Sequence, residues 1–182
     1  MKAVDLTVSY DGKKILENLS FETGDGITCL MGESGCGKTT LLNTVAGLIE
    51  PDSGEIVGAP LKPSFMFQED RLFPWMNALE NVDVVCNDRA KAMELLKKVE
   101  LEEHWNKMPT ELSGGMKRRV ALARTLAFAG DMLILDEPFK GMDAELVKRM
   151  ALLIKEVKVP VLMATHSEEE AELLGAGIQK LK

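Results

Sequence analysis

No run of apolar residues in the 182-residue chain approaches the ~20 needed to cross a bilayer as a helix, so no membrane-spanning segment is expected. Basic residues are in the minority. Lys and Arg number 22 against 29 Asp and Glu, for a net charge of −7 and an isoelectric point near 5.0. That balance argues against a surface built mainly to hold nucleic acid, whose electrostatic footprint is a basic domain or stripe. Cysteine is scarce too. Cys29, Cys36 and Cys86 show no metal-ligand spacing, and reduced thiols in the cytosol are the expected state. There is no internal repeat and no low-complexity linker, and the length suits one domain with a full core. The opening MKAVDLTVSYDG carries Asp5 and alternating polarity, so it reads as a strand and not as a signal peptide.

What the chain does contain is alternation. ITCLMG, PSFMFQ, MLILDEP and VPVLMATH are short apolar runs bounded by Gly, Pro or charge, as strands buried on both faces should be. Between them lie helical patterns, among them KTTLLNTVAGL, NDRAKAMELLKKVEL, GGMKRRVALARTLAF, AELVKRMALLIKEV and SEEEAELL. The last begins with Ser167 and Glu170 at capping-box spacing. Such alternation predicts a mostly parallel sheet with helices on both faces. VDLTVSYDGKKILENLSFETGDG departs from it and predicts an antiparallel hairpin at the edge, turning at Asp11-Gly12. Residues from roughly 72 to 112 show helix patterns without a convincing central strand, which predicts a small helical lobe inserted into the α/β core.

Gly32, Gly37, Lys38 and Thr39 satisfy G-x-x-x-x-G-K-[ST], with a predicted strand over Ile27–Met31 before them and a predicted helix over Thr39–Leu48 after them. In that context, backbone N–H groups and the helix N-terminus wrap a triphosphate. The whole loop, Gly32, Glu33, Ser34, Gly35, Cys36, Gly37, Lys38, Thr39 and Thr40, is expected to contact ATP, with Cys36 a chemical bystander. Lys38 offers a point charge to the β and γ oxygens, and the Thr39 hydroxyl a ligand for Mg²⁺. MLILDEP places Asp136 and Glu137 at the end of a buried strand. Asp136 is expected to hold the Mg²⁺ and Glu137 to polarise the attacking water. Because Glu137 is a carboxylate, hydrolysis is expected.

A second anion grip follows from ELSGGMKRRVALART. Ser113, Gly114 and Gly115 open a helix with bare amides, a hydroxyl and a favourable dipole. The basic run Lys117–Arg119 just beyond is expected to be a solvated helix face. One ATP already fills the first grip, so the second is aimed at another molecule's nucleotide.

LSGGM resembles the signature of the ATP-binding-cassette (ABC) ATPases, and the resemblance spans about residues 4–170. It implies a P-loop NTPase (RecA-like) core with a mostly parallel sheet, an N-terminal antiparallel β edge and a small inserted helical lobe. As a single ABC ATPase domain, 1–182, the chain would divide into a core of 1–70 and 126–182 and a lobe of about 71–125. By the same resemblance Tyr10 matches the aromatic that stacks on adenine, and Gln68 the lid glutamine that also reaches the metal. Asp143 matches the loop that crosses the dimer interface, and His166 the switch histidine at the γ-phosphate. Two copies would then sit head to tail with two ATP molecules between them, each held by the P-loop of one and Ser113–Gly115 of the other.

Met116 stands where the family usually has Gln, a variant found in the importer branch for nitrate, sulfonates and taurine, which QEDRLFPWMNALENV also resembles. The implied partner is an integral membrane permease, met by a cleft near Leu72, Phe73, Trp75 and Met76, and through it a solute-binding protein. Leu72 and Met76 are expected mostly in the core, and Phe73 and Trp75 partly exposed. The expected location is cytoplasmic, peripheral on the inner face of the membrane. Thiamine-precursor uptake, or a cassette serving a release or assembly complex, remains open. The separation of 75 positions from Lys38 to Ser113 leaves no room for the long coiled coil of DNA-repair relatives, and a small-molecule kinase has no use for LSGG.

Overall fold

The Asp11-Gly12 turn is formed as expected, with both residues at positive φ (49° and 77°). It joins β1 (Lys2–Tyr10) to β2 (Lys13–Glu22) in antiparallel register, with Tyr10 opposite Lys13. The computed structural model describes residues 1–181. A strand that sequence reasoning missed, β4 (Ser53–Val57), pairs with the other side of β1, so β1 is central in a three-stranded sheet of order β2-β1-β4. Its residues are nearly all exposed, and the apolar run that signals a strand is absent from SGEIV.

The second sheet is parallel. Its order is β5-β6-β7-β3-β8, from β3 (Ile27–Met31), β5 (Pro63–Met66), β6 (Met132–Asp136), β7 (Val161–Ala164) and β8 (Gly177–Lys180). The first four match the apolar runs; β8 lies outside all of them. Being a short, exposed edge strand beside β3, it carries too little apolar signal to stand out.

Alternate residues of the buried strands feed two cores, the consequence of period-two side-chain direction. Leu30, Met132, Ile134, Leu162 and Ala164 face α1 (Lys38–Val45) and the antiparallel sheet, where Leu41, Leu42 and Val45 are wholly buried. Each such side chain contributes roughly 1.5–3 kcal/mol. Cys29, Leu133, Leu135, Val161 and Met163 face the opposite side, into the core shared with α4 (Gly114–Phe128), α5 (Ala144–Lys155) and α6 (Glu168–Leu174). That burial pushes the Cys29 thiol up to about 12, so it is a packing group. The helix expected over Thr39–Leu48 ends at Val45, where the Ala46 N–H closes the last turn on the Leu42 carbonyl.

Residues 78–98 form two helices, α2 (Ala78–Cys86) and α3 (Arg89–Lys98), which pack on α4. A full capping box, Asn77 with Glu80, starts α2, and Asp88 caps α3. Three parallel strands therefore end in loops that carry the expected chemistry: β3 in residues 32–37, β6 at Asp136–Glu137, and β7 at Thr165–His166. The loop after β5 carries Gln68 beside them. Ligands of open α/β sheets bind at such carboxyl ends.

Candidate active site

Gly37 is the hinge between the β3 loop and α1. Its φ is +96°, and a Cβ there would meet the Leu16 side chain at 2.7 Å, so the chain turns into the helix only with glycine at this point. α1 has no acidic residue in its first turn, which leaves its N-terminal amides and positive dipole end free to favour an anion. The Lys38 ammonium lies back over the loop, donating to the carbonyls of Gly32 (2.6 Å) and Glu33 (2.9 Å).

A cavity of about 290 Å³ opens in front of this helix. Tyr10, Ser34, Gly35, Gly37, Lys38, Thr39, Thr40, Gln68, Asp136 and Glu137 line it, ten of the residues singled out from the sequence, together with Ile15, which was not. Ile15 arrives on β2, beside Tyr10, and nothing in its local pattern marks it. Cys36 is half-buried with its sulfur 3.8 Å from the Lys38 nitrogen, and Gly32 and Glu33 border a separate recess with His166.

At the floor of the cavity the Thr39 hydroxyl donates to the Asp136 carboxylate at 2.7 Å. Asp136 is only 2% exposed. Burial pushes its carboxyl above the ordinary value, against the pull of the Thr39 hydrogen bond, and the neighbouring Glu137 charge adds to the rise. Glu137 follows in a left-handed conformation (φ 47°), its N–H donating to the Ala164 carbonyl at 3.0 Å. This turn brings Glu137 Oε1 to 3.5 Å from His166 Nδ1. His166 itself is three-quarters exposed.

The loop that carries His166 is held by a local network. Thr165 donates its hydroxyl to the Glu170 carboxylate, and accepts the Ser167 N–H at 3.1 Å. Only half of the expected capping box is thus present: Ser167 Oγ accepts from the Glu170 N–H, but the Glu170 carboxylate takes Thr165 instead of the Ser167 amide. Burial raises the Glu170 carboxyl, partly opposed by that hydrogen bond.

Ser113, Gly114 and Gly115 lie apart from this cavity. Ser113 caps α4, accepting from the Met116 N–H at 3.3 Å. Gly115 approaches the next loop so closely that a Cβ would meet the Gly141 carbonyl oxygen at 2.9 Å. Gly114 and Gly115 line a second cleft of about 640 Å³ with Glu69, Asp70, Arg118, Lys140 and Gly141. Gln68 is the one residue lining both clefts. Asp143, two residues beyond Gly141 and exposed, accepts from the Leu146 N–H at 2.9 Å and caps α5. The glycine loop before α1 and the glycine start of α4 therefore face two different clefts.

The expectation of a solvated face over Lys117–Arg119 is corrected. Arg118 is 3% exposed, and its guanidinium donates to the backbone carbonyls of Phe67, Gln68 and Glu137 and to that of Asp136. Arg119 is half-buried on the carbonyls of Val99 and Glu100. A basic triplet on a helix looks solvent-facing in sequence; here backbone carbonyls meet two of its three members, Arg118 and Arg119.

On the lobe, Trp75 is 69% and Phe73 37% exposed, their rings 5.6 Å apart, while Leu72 packs on the core. Their loop is clamped from beneath by Asn81, a wholly buried amide missed in sequence. It accepts from the Phe73 N–H (2.8 Å) and donates to the carbonyls of Phe73, Met76 and Asn77.

Residues 16–140 match the family model described as ABC transporter. The chain is 43% identical over 170 residues to the aliphatic sulfonates import ATP-binding protein SsuB 3 of Paraburkholderia xenovorans (strain LB400), across 89% of this chain and 68% of that protein. It is 40% identical over 195 residues to the taurine import ATP-binding protein TauB of Mesorhizobium japonicum, across 95% and 76% of the two. Its structure superposes, with a TM-score of 0.88 and 28% identity, on a dimeric ATP-binding cassette in a post-hydrolysis state bound to ADP and Pi, covering 100% of this chain and 94% of that one. With residues 16–140 matched by the family model, relatives at 40% identity or more and the fold shared, the chain belongs to the ABC transporter family, as an ATP-binding cassette.

Proposed function

We propose that the chain is the ATP-hydrolysing engine of an importer, working as a head-to-tail pair beneath a membrane permease. The observation that carries this reading is that the glycine loop before α1 and the glycine start of α4 face separate clefts; both are read here as phosphate grips. A grip without a nucleotide of its own finds one only on a second copy, and a two-fold pairing satisfies both at once. The dimeric cassette with ADP and Pi supports that arrangement, and the import relatives support uptake.

In this reading the β3 loop and the N-terminus of α1 bind the triphosphate, and Tyr10 stacks on the adenine. Lys38 leaves the loop carbonyls for the β and γ oxygens. Thr39 and Asp136 offer hard oxygen donors side by side, a fit for Mg²⁺, which takes one or two protein oxygens and completes its shell with phosphates and water. Gln68 reaches the same site from the lid. When bound, the ion neutralises charge on the transferring phosphoryl group. Glu137 orients the attacking water, and His166, beside it at the rim, contacts the γ-phosphate. Asp143 crosses to the partner copy next to its Ser113–Gly115. The core comprises 1–70 and 126–182 and the lobe about 71–125, whose Phe73 and Trp75 meet the permease. A solute-binding protein delivers the cargo, and the sulfonate and taurine relatives point to a small organic anion.

Among the described residues no helix is long and apolar enough to cross a membrane; attachment to the inner face runs through the permease. The test is light scattering of a Glu137→Gln variant with and without saturating Mg-ATP. A nucleotide-dependent dimer is expected, and a mass that ATP leaves unchanged at one chain would overturn the reading.

A further inference from the structure

We propose that Arg118 is a positioning residue that ties the lid segment to the hydrolytic end of β6, so that Gln68 and Glu137 are held as one unit. The inference rests on the ATPase reading above and assigns a new residue to that site. Phe67–Arg71 lies in neither strand nor helix, so its carbonyls have no ladder to receive them. Glu137 has left β6, and its carbonyl has only the Lys140 N–H of the following turn, at 3.3 Å, from the backbone. A single guanidinium supplies both. Arg118 NH1 donates to Phe67 O (2.7 Å), Gln68 O (3.1 Å) and the Asp70 carboxylate (3.2 Å). NH2 donates to Asp136 O and to Glu137 O (2.8 Å), and Nε donates to Glu137 O (3.2 Å).

A guanidinium has five N–H donors in a rigid planar fork. Here every one has an acceptor, and the two edges of the fork point at two different segments. Such a group, at 3% exposure, is expensive to bury unless fully satisfied. It is satisfied only when both segments are in place, so displacing either one strands buried donors. The same helix repeats the device one and a half turns on: Arg124 donates to the carbonyls of Asp70 (2.7 Å) and Arg71 (2.8 Å) but to nothing on β6. Of the two, Arg118 is the one that joins the lid segment to Glu137. Because α4 starts at Ser113, the same helix that presents the second grip carries this joint, and a shift of α4 is passed to Gln68 and Glu137 together.

The test compares the unaltered chain with Arg118→Met, Arg118→Lys and Arg124→Met, by ATPase kinetics and by hydrogen exchange read over residues 67–71 and 136–140. Arg118→Met is expected to lower kcat about 10²-fold, the cost of a small misplacement at a reacting centre. KM for ATP should stay within about three-fold, since the phosphate loop is untouched. Exchange should quicken in both segments and not in residues 32–37. Arg118→Lys, with three donors and no fork, should recover about ten-fold of the lost kcat. Arg124→Met should loosen only the lid segment. Unchanged exchange in either segment with Arg118→Met, or equal losses in kcat and affinity with faster exchange throughout, would overturn the proposal. An unaltered chain that turns over no ATP would sink the ATPase reading; the joint is then decided by exchange alone, two loosened segments upholding it and any other pattern refuting it.

Discussion

The hydroxyl of Thr39 donates to the Asp136 carboxylate at 2.7 Å across a separation of 97 positions in the chain. One residue opens α1 and the other closes β6, and their contact joins the phosphate loop to the strand end that carries Glu137. Asp136 is held there at a cost, because burial disfavours its ionised form.

That cost gives a pH-dependent prediction. The folded-state pKa of Asp136 is raised, so folding favours the protonated carboxyl. Its favourable contribution is complete below the ordinary carboxylate value and is lost as pH rises through the raised one. Asp136→Asn, which keeps an oxygen for Thr39, is expected to raise Tm at pH 7 by roughly 2–4 °C, about 1 kcal/mol for a chain of this size. The gain should shrink as pH falls towards 4. Thermal unfolding from pH 4 to pH 8 checks it, and the same variant should lose ATP hydrolysis.

Lys38→Ala removes the only positive charge in the phosphate loop. Hydrogen bonds to charged groups contribute about 1.5–3 kcal/mol each, so ATP affinity is expected to fall about 10²-fold by titration calorimetry. The fold should persist, because the ammonium's oxygen partners are two carbonyls of its own loop and it joins no other element.

Glu137→Gln keeps the shape and removes the charge. Hydrolysis is expected to fall ~10²–10³-fold, the usual loss for one oriented catalytic group, while ATP stays bound. Turnover at the parental rate would remove Glu137 from the mechanism.

Trp75→Ala should leave ATP binding unchanged and weaken association with the permease by roughly 30-fold, in the range of an interfacial Trp anchor. Asn81→Ala provides a second route to the same surface. It strips the buried clamp from the 73–77 backbone, and is expected to lower stability by about 1–3 kcal/mol as well as permease binding. Pull-down with the permease in detergent, alongside nucleotide titration, separates the two effects.

Local pattern carried much of this protein. The Gly32–Thr39 loop, the Asp11-Gly12 turn and the capped start of α4 rest on interactions within a few residues, and β3, β5, β6 and β7 announce themselves as short apolar runs, so a short window of sequence displays them all. The strands β4 and β8 escaped because an exposed edge needs no apolar run. So did half the capping box at Ser167, where Thr165 competed for Glu170.

The sequence by itself determined the chemistry available: which carboxylates, which lysine, which glycines, and in what order. Only the tertiary structure decided how they are joined. Arg118, Asn81 and Ile15 acquire their places from partners elsewhere in the chain, and for Arg118 those partners are backbone carbonyls 18 to 51 positions away. Every residue has a carbonyl. A side chain that binds one therefore leaves no complementary residue type for a sequence to reveal, and its role appears only when folding brings the backbone to it.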